Sequence, residues 1–382
     1  MSKVSVLVFI DWYLPGYKAG GPIQSVANIV SHLKNDFHFK VITADTDLHE
    51  MQPYSTIKSN AWNDCNGTEV YYFSAANQSY RQLKILMKEE HFDVIYINSL
   101  FSKFFALYPL LIANSNFKNT KVIIAPRGML GEGALHLKAT KKKFFLAAAK
   151  LTGMFKKVTW HASTPLEAIE IKNVFGADAA VHVALNLSKA RDIIPIHRIK
   201  KANELRLVFL SRISPKKNLL AVYRYLLAMD HQQQILFDYY GPLDDTAYAA
   251  QCADAFKTLP ANIKVNYKGV LKPENITAVL SDYHLSILPT LNENFGHAIV
   301  ESWVAGCPVL ISDQTPWNTL EITKTGFVVA LNNDQGFADV LKKMYAMEQE
   351  EFDLWSTASY QFAEKVTDNP EAIEQNKKLF SA

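Results

Sequence analysis

The first half of the chain alternates short apolar runs with longer stretches in which apolar and polar positions repeat at helical spacing. The apolar runs of this half are VSVLVFI, FKVITAD, EVYYFS, DVIYINS, KVIIAPRG, VTWHAS and AVHVALN. Continuous apolar runs of this kind are typical of strands buried on both faces of a parallel sheet. Because stretches such as GPIQSVANIVSHLK and SYRQLKILMKEE lie between the runs, the alternation predicts a βαβ architecture.

A polar and basic segment at residues 188–204, SKARDIIPIHRIKKANE, interrupts the alternation and predicts a linker. The alternation then resumes with the runs LRLVFLSR, ILFDYYG, IKVNYKG, LSILPT, PVLISD and GFVVAL. The pattern therefore predicts two doubly wound α/β domains with parallel sheets, at residues 1–187 and 205–364, and the total of 382 residues suits two such domains. We expect the last helix, at about residues 365–382, to join the first domain.

Charge and cysteine content exclude several classes of protein. The formal net charge is +3, and the sequence carries no recognition module for nucleic acid, so we expect no nucleic-acid partner. Three scattered cysteines without a CxxC pair argue against a disulfide framework or zinc site and favour a reducing cytosol. The first apolar run is interrupted by Asp11 and predicts a buried strand rather than a signal peptide, and no run is long enough to predict a transmembrane helix.

Candidate chemistry follows the strands, because ligands of doubly wound folds bind at the carboxyl ends of the strands. After the run LSILPT, Glu293 lies in a predicted loop, and Gly296 opens a helical pattern that carries Glu301. The amides of Asn294, Phe295 and Gly296 would lie at the helix N-terminus, which favours phosphate. With a sugar hydroxyl accepted by each glutamate, the stretch predicts a nucleotide-sugar site.

Solvated surface charges are the alternative interpretation of the two glutamates. This alternative is weaker for Glu301, because it lies within AIVESWVAG, where an unpaired carboxylate is costly to bury.

Two further stretches at strand ends suggest phosphate binding. Arg212 ends the run LRLVFLSR and Lys217 follows five residues later; a guanidinium fork and an ammonium group at a strand end suit a diphosphate, with solvated charges as the alternative. Gly20 and Gly21 follow the first strand and precede a helix expected from Pro22. Glycine there lets backbone N–H groups approach a ligand, although the spacing is not G-x-G-x-x-G and a plain loop is the alternative.

Three of these stretches together resemble one family. ENFGHAIVE followed by AGCPVLISD, FLSRISPKKN, and GYKAGGPIQSVANIV are similar to the E-x7-E, Arg-x4-Lys and glycine-rich segments of the retaining glycosyltransferases of family 4. Members of that family have the GT-B fold, in which two Rossmann-like domains face a cleft. FGHAIVES and ISDQTPW look most like the bacterial members that build surface polysaccharides.

The resemblance implies transfer of a sugar, with retention of the anomeric configuration, from a nucleotide-diphosphate sugar to a hydroxyl group. UDP is the favoured nucleotide, and the acceptor would be a growing surface glycan carried on a lipid such as polyprenyl diphosphate. Arg212, Lys217 and Glu293 would be catalytic. The implied donor-binding positions are Gly20, Gly21, Asn294, Phe295, Gly296 and Glu301. We expect no metal and no cofactor. We expect a cytoplasmic protein, and peripheral association with the inner face of the plasma membrane is compatible with that location.

Arg127 marks a departure from the family pattern. It follows the run KVIIAP where many relatives have a histidine that contacts the transferred sugar, so Arg127 is a candidate contact with donor or acceptor. Two alternatives to transfer stay open: a nucleotide-sugar epimerase of the same fold, and a non-catalytic member that binds a nucleotide-sugar as an assembly partner.

Residues 138–157, KATKKKFFLAAAKLTGMFKK, contain seven lysines and no acidic residue. The apolar side chains of this segment are Phe144, Phe145, Leu146, Leu151, Met154 and Phe155. A basic amphipathic helix can dock on an anionic membrane, whereas a core helix with solvated lysines is the alternative.

Overall fold

The computed structural model describes residues 3–131, 139–189, 198–230 and 233–381. The chain divides into two compact units, which we call unit 1 (Met1–Lys189 with Asn369–Ala382) and unit 2 (Ala190–Asp368). Part of the predicted linker, residues 190–197, lies outside the described residues. Among the described residues no helix is both long and apolar enough to cross a membrane.

Unit 1 is built on a sheet that has eight strands within the described residues. The strands are β1 (Val4–Phe9), β2 (Phe37–Ala44), β3 (Trp62–Cys65), β4 (Thr68–Phe73), β5 (Val94–Ile97), β6 (Lys121–Ile124), β7 (Val158–Ala162) and β8 (Val181–Val183). Their order is β3-β4-β2-β1-β5-β6-β7-β8, and all pairs are parallel except β3 with β4. The strands predicted in this half are confirmed, and β3 is an addition that the pattern did not predict.

Helices of unit 1 connect these strands. They are α1 (Gly21–Leu33), α2 (Tyr80–Glu89), α3 (Tyr108–Asn116), α4 (Ala139–Leu151) and α5 (Pro165–Phe175). A 3-10 turn covers Ala75–Asn77, and a π-helix at Lys103–Leu107 leads directly into α3. The first two helices confirm the predicted helical stretches, and the buried residues Ile23, Val26 and Ile29 of α1 follow the expected helical spacing.

Unit 2 has a second parallel sheet, of six strands within the described residues. The strands are β9 (Glu204–Leu210), β10 (Gln234–Tyr240), β11 (Ile263–Tyr267), β12 (Leu285–Leu288), β13 (Val309–Ser312) and β14 (Gly326–Val329). The helices are α6 (Leu219–Leu227), α7 (Thr246–Phe256), α8 (Ile276–Leu280), α9 (His297–Val304), α10 (Asp334–Ala346) and α11 (Gln349–Thr367), with 3-10 turns at Pro215–Lys217 and Pro273–Asn275. The strand order is β11-β10-β9-β12-β13-β14, and each strand predicted for this half is present.

The last helix, α12 (Pro370–Phe380), belongs to unit 1. Its residue Phe380 is fully buried and packs edge-on against Phe37, Phe39 and Tyr96, with ring centroids 5.8, 5.6 and 5.2 Å away. These contacts join the end of the chain to strands β2 and β5 of the first sheet.

Each sheet reverses its strand order beside its first strand. In unit 1, β2 and β4 lie on one side of β1 and β5 lies on the other. In unit 2, β10 and β11 lie on one side of β9 and β12 lies on the other. Ligands of doubly wound folds bind beyond the carboxyl ends of the strands at such a switch point. The topology therefore directs attention to the loops after β1 and β5 and to those after β9 and β12.

Candidate active site

Arg212 lies just beyond the carboxyl end of β9. Its Nη1 donates a hydrogen bond to Oδ2 of Asp244, at 3.0 Å, and about a third of its side chain, 35%, is exposed. The loop after β10 approaches this strand end closely at Gly241, where a Cβ atom would lie 1.8 Å from the carbonyl oxygen of Ser211. Glycine at this position therefore permits the approach that brings Asp244 to Arg212.

Lys217 and Glu293 form an ion pair that joins the loop after β9 to the loop after β12. The ammonium of Lys217 donates to Oε2 of Glu293, and the two side chains are 12% and 16% exposed. Two hydrogen bonds to the carbonyl oxygen of Lys216 hold the loops together, from the amide of Leu291 at 2.8 Å and from the hydroxyl of Thr290 at 3.1 Å. The switch point thus fixes two residues that are 76 positions apart in the sequence.

The charge state of Glu293 is set by opposing effects. Burial raises the pKa of this carboxyl, whereas the charge and hydrogen bond of Lys217, with the charges of Lys216 and His297, lower it. The net pKa is below the usual value, so Glu293 is a carboxylate at neutral pH. An anion that binds Lys217 would share the ammonium with this carboxylate.

The N-terminus of α9 lies in the same loop region. Gly296 is its N-cap, in the left-handed region with φ 82° and ψ 64°. A Cβ atom there would lie 2.6 Å from Cδ1 of Ile299, so a larger residue would strain the backbone and displace the end of that side chain. The helix begins at His297, and the amides of Ile299 and Val300 in its first turn donate to the carbonyl oxygen of Gly296 at 2.8 and 3.2 Å. The positive end of the helix dipole favours an anion at this end.

Glu301 is half-buried on α9. Ile299, Val300 and Trp303 of the same helix are buried, whereas Glu301 lies on the partly exposed side. The cost of burying a carboxylate is therefore smaller here than the apolar sequence around Glu301 indicates.

A buried arginine holds α9 from its other end. Arg198 is 4% exposed, and its guanidinium donates to the carbonyl oxygens of Ala305 at 2.7 Å and Gly306 at 2.9 Å, just beyond the last turn of α9. It also donates to the carbonyl oxygen of Ser281, after α8. A cation at the carbonyl end complements the helix dipole, so Arg198 fixes the axis along which the N-terminus of α9 points.

Of the sequence-predicted residues, one set is brought together at the switch point of unit 2. This set comprises Arg212 and Lys217 after β9, and Glu293, Asn294, Phe295, Gly296 and Glu301 after β12. Gly20, Gly21 and Arg127 lie in unit 1.

Comparisons with known proteins give one family match in unit 2 and several structural matches over nearly the whole chain. Residues 191–361 match the family model described as glycosyl transferases group 1. The solved structure of HepE from Anabaena in complex with UDP and glucose is similar over 98% of both chains, with a TM-score of 0.70 and 15% identity. Sucrose-phosphate synthase from Thermosynechococcus elongatus is similar over 99% of this chain and 98% of its own, with a TM-score of 0.72 and 12% identity.

WaaG, a glycosyltransferase involved in lipopolysaccharide biosynthesis, is similar over 99% of this chain and 98% of its own, with a TM-score of 0.61 and 14% identity. None of the curated protein sequences compared with this chain matches it significantly. The protein has the GT-B fold. The residues that match the glycosyl transferases group 1 model, 191–361, include the switch point of unit 2.

Asp244 contacts a candidate site residue, Arg212, and the sequence did not reveal this contact. Asp244 and Asp245 follow β10. The structure separates them, since Asp244 pairs with Arg212 while Asp245 caps α7 by accepting from the amide of Tyr248 at 2.9 Å. The sequence feature that could have identified Asp244 is its position in the loop after β10, at a strand end of the doubly wound sheet.

The glycine loop of the first GT-B unit is tightly held. Gly20 is the N-cap of α1, with φ 68° and ψ −123°, a conformation that is essentially restricted to glycine. The carboxylate of Asp47 accepts from the amides of Tyr17 at 2.9 Å and Lys18 at 3.2 Å. Gly21 follows as the first residue of α1 and is exposed.

Arg127 follows β6 in the same GT-B unit, in a left-handed backbone conformation with φ 54°. Its guanidinium donates to Oδ1 of Asn98 at 2.7 Å, to Oδ1 of Asn186 at 2.5 Å and to the hydroxyl of Tyr96 at 2.7 Å. Strained backbone positions cluster at functional sites, and three neutral acceptors fix the orientation of this cation without neutralising it.

The basic segment offers less apolar surface than its sequence indicates. Four of its six apolar side chains pack into the core of unit 1, namely Phe145, Leu146, Met154 and Phe155. Phe144 and Leu151 are exposed, at 78% and 90%. Lys138 and the side chain of Lys143 lie outside the described residues. The segment is therefore mainly a core helix whose outer face carries lysines and two apolar side chains.

The described part of the chain has no group of three or more His, Cys, Asp or Glu side chains arranged to hold a metal ion.

Proposed function

We propose that the protein is a retaining, metal-independent glycosyltransferase that moves a sugar from a UDP-sugar to a hydroxyl group of a growing surface glycan. The observation that carries the proposal is the meeting of Arg212, Lys217, Glu293 and the N-terminus of α9 at one switch point of the group 1 domain. HepE was solved with UDP-glucose, which supports UDP as the nucleotide, and WaaG supports a surface glycan as the product class.

The difficult step is departure of the nucleotide diphosphate. The bond between the anomeric carbon and the β-phosphate oxygen breaks, the acceptor oxygen bonds to that carbon, and the hydroxyl proton leaves with the nucleotide diphosphate. Charge develops on the departing phosphate, and preorganised positive groups stabilise it. Arg212, Lys217 and the amides at the start of α9 are such groups, and together they supply what a metal ion provides elsewhere.

The two glutamates have separate roles in this proposal. Glu293 is held at the phosphate end by Lys217 and orients a hydroxyl of the transferred sugar. Glu301 lies on α9, beyond its N-terminus, and accepts the hydroxyls of the ribose. A carboxylate can accept two hydroxyl hydrogen bonds at once, which suits a ribose diol. On the other unit, Gly20, Gly21 and Arg127 are proposed contacts with the donor and the acceptor.

Thermal-shift measurements with UDP-, GDP- and ADP-sugars test the donor. A ligand that binds only the native state raises the apparent stability in proportion to the logarithm of its concentration over Kd. We expect UDP-sugars to raise the melting temperature and the other two classes to raise it less. The same panel, incubated with a glycan acceptor and analysed by mass spectrometry, distinguishes transfer from its alternatives. Formation of an epimerised donor, or binding without any product, would contradict transfer.

We further propose that the lysines of residues 138–157 hold the protein at an anionic membrane, where a lipid-linked acceptor such as a polyprenyl diphosphate would lie. Each lysine near such a surface contributes on the order of 1 kcal/mol. Exchanging Lys141, Lys150 and Lys157 to Glu should abolish sedimentation with vesicles of one-third phosphatidylglycerol.

The control for the membrane test exchanges three exposed lysines elsewhere in unit 1, Lys88, Lys118 and Lys172, and should leave sedimentation unchanged. Equal loss in both triple variants would mean that only the net charge matters. No sedimentation of the unmodified protein would remove the membrane from the proposal.

A further inference from the structure

The loop that carries Glu293 is held in place by the next loop of the same sheet. We call residues 289–296, between β12 and α9, the site loop, and residues 313–325, between β13 and β14, the support loop. The amide of Glu293 donates to the carbonyl oxygen of Gln314, in the support loop, at 2.9 Å. This backbone contact fixes the path of the site loop, while the carboxylate of Glu293 pairs with Lys217.

Trp317 of the support loop makes a second contact, at the end of the site loop where α9 begins. Its indole Nε1 donates to the carbonyl oxygen of Phe295, the residue directly before the N-cap Gly296. The indole also packs against the ring of Phe295, with centroids 5.4 Å apart. Trp317 therefore holds both the backbone and the side chain of the residue that leads into α9.

The indole of Trp317 is itself anchored by aromatic side chains of two helices. The fully buried ring of Trp303, on α9, meets it edge-on with centroids 5.0 Å apart, and the ring of Phe362, on α11, lies 6.2 Å away. Trp303 is fixed in turn, because its Nε1 donates to the carbonyl oxygen of Thr325 at 2.8 Å. Trp317 is only half-buried, yet its N–H meets a backbone acceptor and its ring meets other rings, which fixes the orientation of the indole.

The start of α9 is sensitive to the position of Phe295. Among the described residues no side chain caps the N-terminus of this helix, and its N-cap Gly296 is in the left-handed region with φ 82°. Glycine is the residue that restricts the backbone least, so the direction of the first helical amides depends on how the preceding residue is held. A displacement of about 1 Å in a group that acts on the substrate can lower a rate about a hundredfold.

We propose that Trp317 is a positioning residue for the sugar transfer. Through its indole N–H and Phe295 it holds the site loop and the N-terminus of α9 in the geometry that stabilises the departing diphosphate. Stabilisation of developing charge depends on groups that are oriented before the reaction begins. Trp317 acts through Phe295 rather than by contact with the donor. The inference rests on the proposed function and adds a residue that controls the geometry of its site.

Steady-state kinetics of Trp317→Phe test the inference. This substitution keeps an aromatic ring in the support loop and removes the N–H donor. We expect kcat to fall about tenfold, as for one lost hydrogen bond, while the KM for the donor changes less than kcat does. A bound diphosphate already carries its charge, so a loosely held helix can still bind it, whereas the charge that develops during departure needs groups that are already oriented.

Trp317→His separates the hydrogen bond from the packing. The five-membered ring of histidine can place Nε2 at the ring position of indole Nε1, but it lacks the six-membered ring. A role that depends on the N–H predicts a higher kcat for Trp317→His than for Trp317→Phe, and a role in packing alone predicts the reverse. If Trp317→Phe lowers the melting temperature strongly, Trp317→Met takes its place, because methionine has no N–H and adapts to irregular gaps.

The matched control is Trp62→Phe. It removes an indole N–H that donates to Oε1 of Glu90, at 2.9 Å, in unit 1, and it should leave kcat unchanged. Hydrogen exchange of the full chain without ligand adds a measurement that does not depend on activity. We expect the amides of residues 293–300 to exchange faster in Trp317→Phe than in the unmodified protein or in Trp62→Phe.

Three outcomes would overturn the inference: an unchanged kcat in Trp317→Phe, unchanged exchange of residues 293–300, or a rise in donor KM as large as the fall in kcat. Failure of the proposed function has a different signature. If the unmodified protein transfers no sugar from any donor, the transferase is contradicted, and the role of Trp317 in transfer is lost with it even if exchange is faster. If it transfers sugar and Trp317→Phe is as active as Trp62→Phe, the transferase stands and the positioning role is wrong.

Discussion

The two switch points of the molecule share a topology and differ in chemistry. In unit 2 the loops after β9 and β12 present Arg212 and Lys217, each paired with a carboxylate. In unit 1 the loop after β1 presents Asp11, which accepts hydrogen bonds from the hydroxyls of Ser102 and Ser99 and from its own backbone amide. A doubly wound sheet fixes where a ligand binds, whereas a few side chains at that edge decide which charge the ligand carries.

The pairing in unit 2 has a second consequence. A cation that is already paired with a carboxylate gains less from a monoanion than an unpaired cation does, because the two anions compete for it. A diphosphate carries enough charge to engage Arg212 and Lys217 while Glu293 remains ionised. The comparison therefore predicts that ligand binding at the switch point of unit 2 depends on positive charge, and most of the following experiments test that dependence.

The largest effect is expected from removing a cation of unit 2. Lys217→Ala and Arg212→Ala should each lower kcat about a hundredfold, because losing one group that stabilises transition-state charge costs about 3 kcal/mol. The control Lys264→Ala, at an exposed position on β11, should retain full activity. Steady-state kinetics with melting temperatures as a folding check make the measurement, and full activity in both site variants would remove these cations from the mechanism.

A smaller effect is expected from Glu301→Gln, which should weaken UDP about tenfold by removing a charged acceptor from the ribose hydroxyls. Glu293→Gln should lower turnover without weakening UDP, and it can tighten UDP because Lys217 then has no carboxylate competitor. Calorimetric titration of both variants with UDP makes the measurement. Equal weakening by the two substitutions would show that the glutamates do not serve separate ends of the donor.

Acid should destabilise both units through buried neutral histidines. Burial and the nearby Arg206 lower the pKa of His284 from 6.5 to about 3, and burial with Arg127 lowers that of His161 well below 6.5. Between pH 6.5 and 3 the unfolded chain binds a proton that folded His284 does not, so stability falls as pH falls. The slope approaches about 1.4 kcal/mol per pH unit for each histidine.

Urea unfolding at pH 7, 6 and 5 measures this slope. His284→Gln should make it shallower, whereas His91→Gln, at an exposed position, should not. His161 lies in unit 1 and His284 in unit 2, so each histidine contributes to the acid stability of a different unit. The ring of His161 accepts from the hydroxyl of Tyr96, at 2.9 Å, and that hydroxyl in turn accepts from Arg127. An equal slope in all three proteins would mean that His284 does not limit acid stability.

The smallest effect is expected from EDTA, which should leave transfer unchanged because protein cations stabilise the leaving group. Activity assays with and without chelator make the measurement. If EDTA abolishes activity and added magnesium or manganese restores it, the protein cations at the switch point of unit 2 are not sufficient to stabilise the leaving group without a metal ion.

The fold was largely predictable because its strands are buried on both faces and stand out as continuous apolar runs. Strand β3 was missed because WNDC is short and polar, and it lies at the sheet edge. An available signal was Asn66-Gly67 between β3 and β4, whose φ values of 55° and 80° are typical of a tight hairpin turn.

The residues of the candidate site were predictable from the sequence, but the ion pairs between them were not. Position after a strand identified Arg212, Lys217 and Glu293, whereas the partnership of Lys217 with Glu293 depends on which strands are neighbours. The half-exposed position of Glu301 depends on how α9 is rotated, which a short helix with small residues does not specify. The hydrogen bond that Asp11 accepts was likewise not predictable, because it depends on Ser102, 91 residues away in the sequence.

The return of α12 to the first sheet has a consequence for biosynthesis. Phe380 closes the cluster formed by Phe37, Phe39 and Tyr96, so the core of unit 1 is incomplete until residues 370–380 have left the ribosome. Unit 2 begins after most of unit 1 in the sequence, but its last residue, Asp368, is synthesised before α12 completes unit 1. Because domains generally fold as units during synthesis, the nascent chain would complete its second unit first, with the first sheet waiting for its final helix.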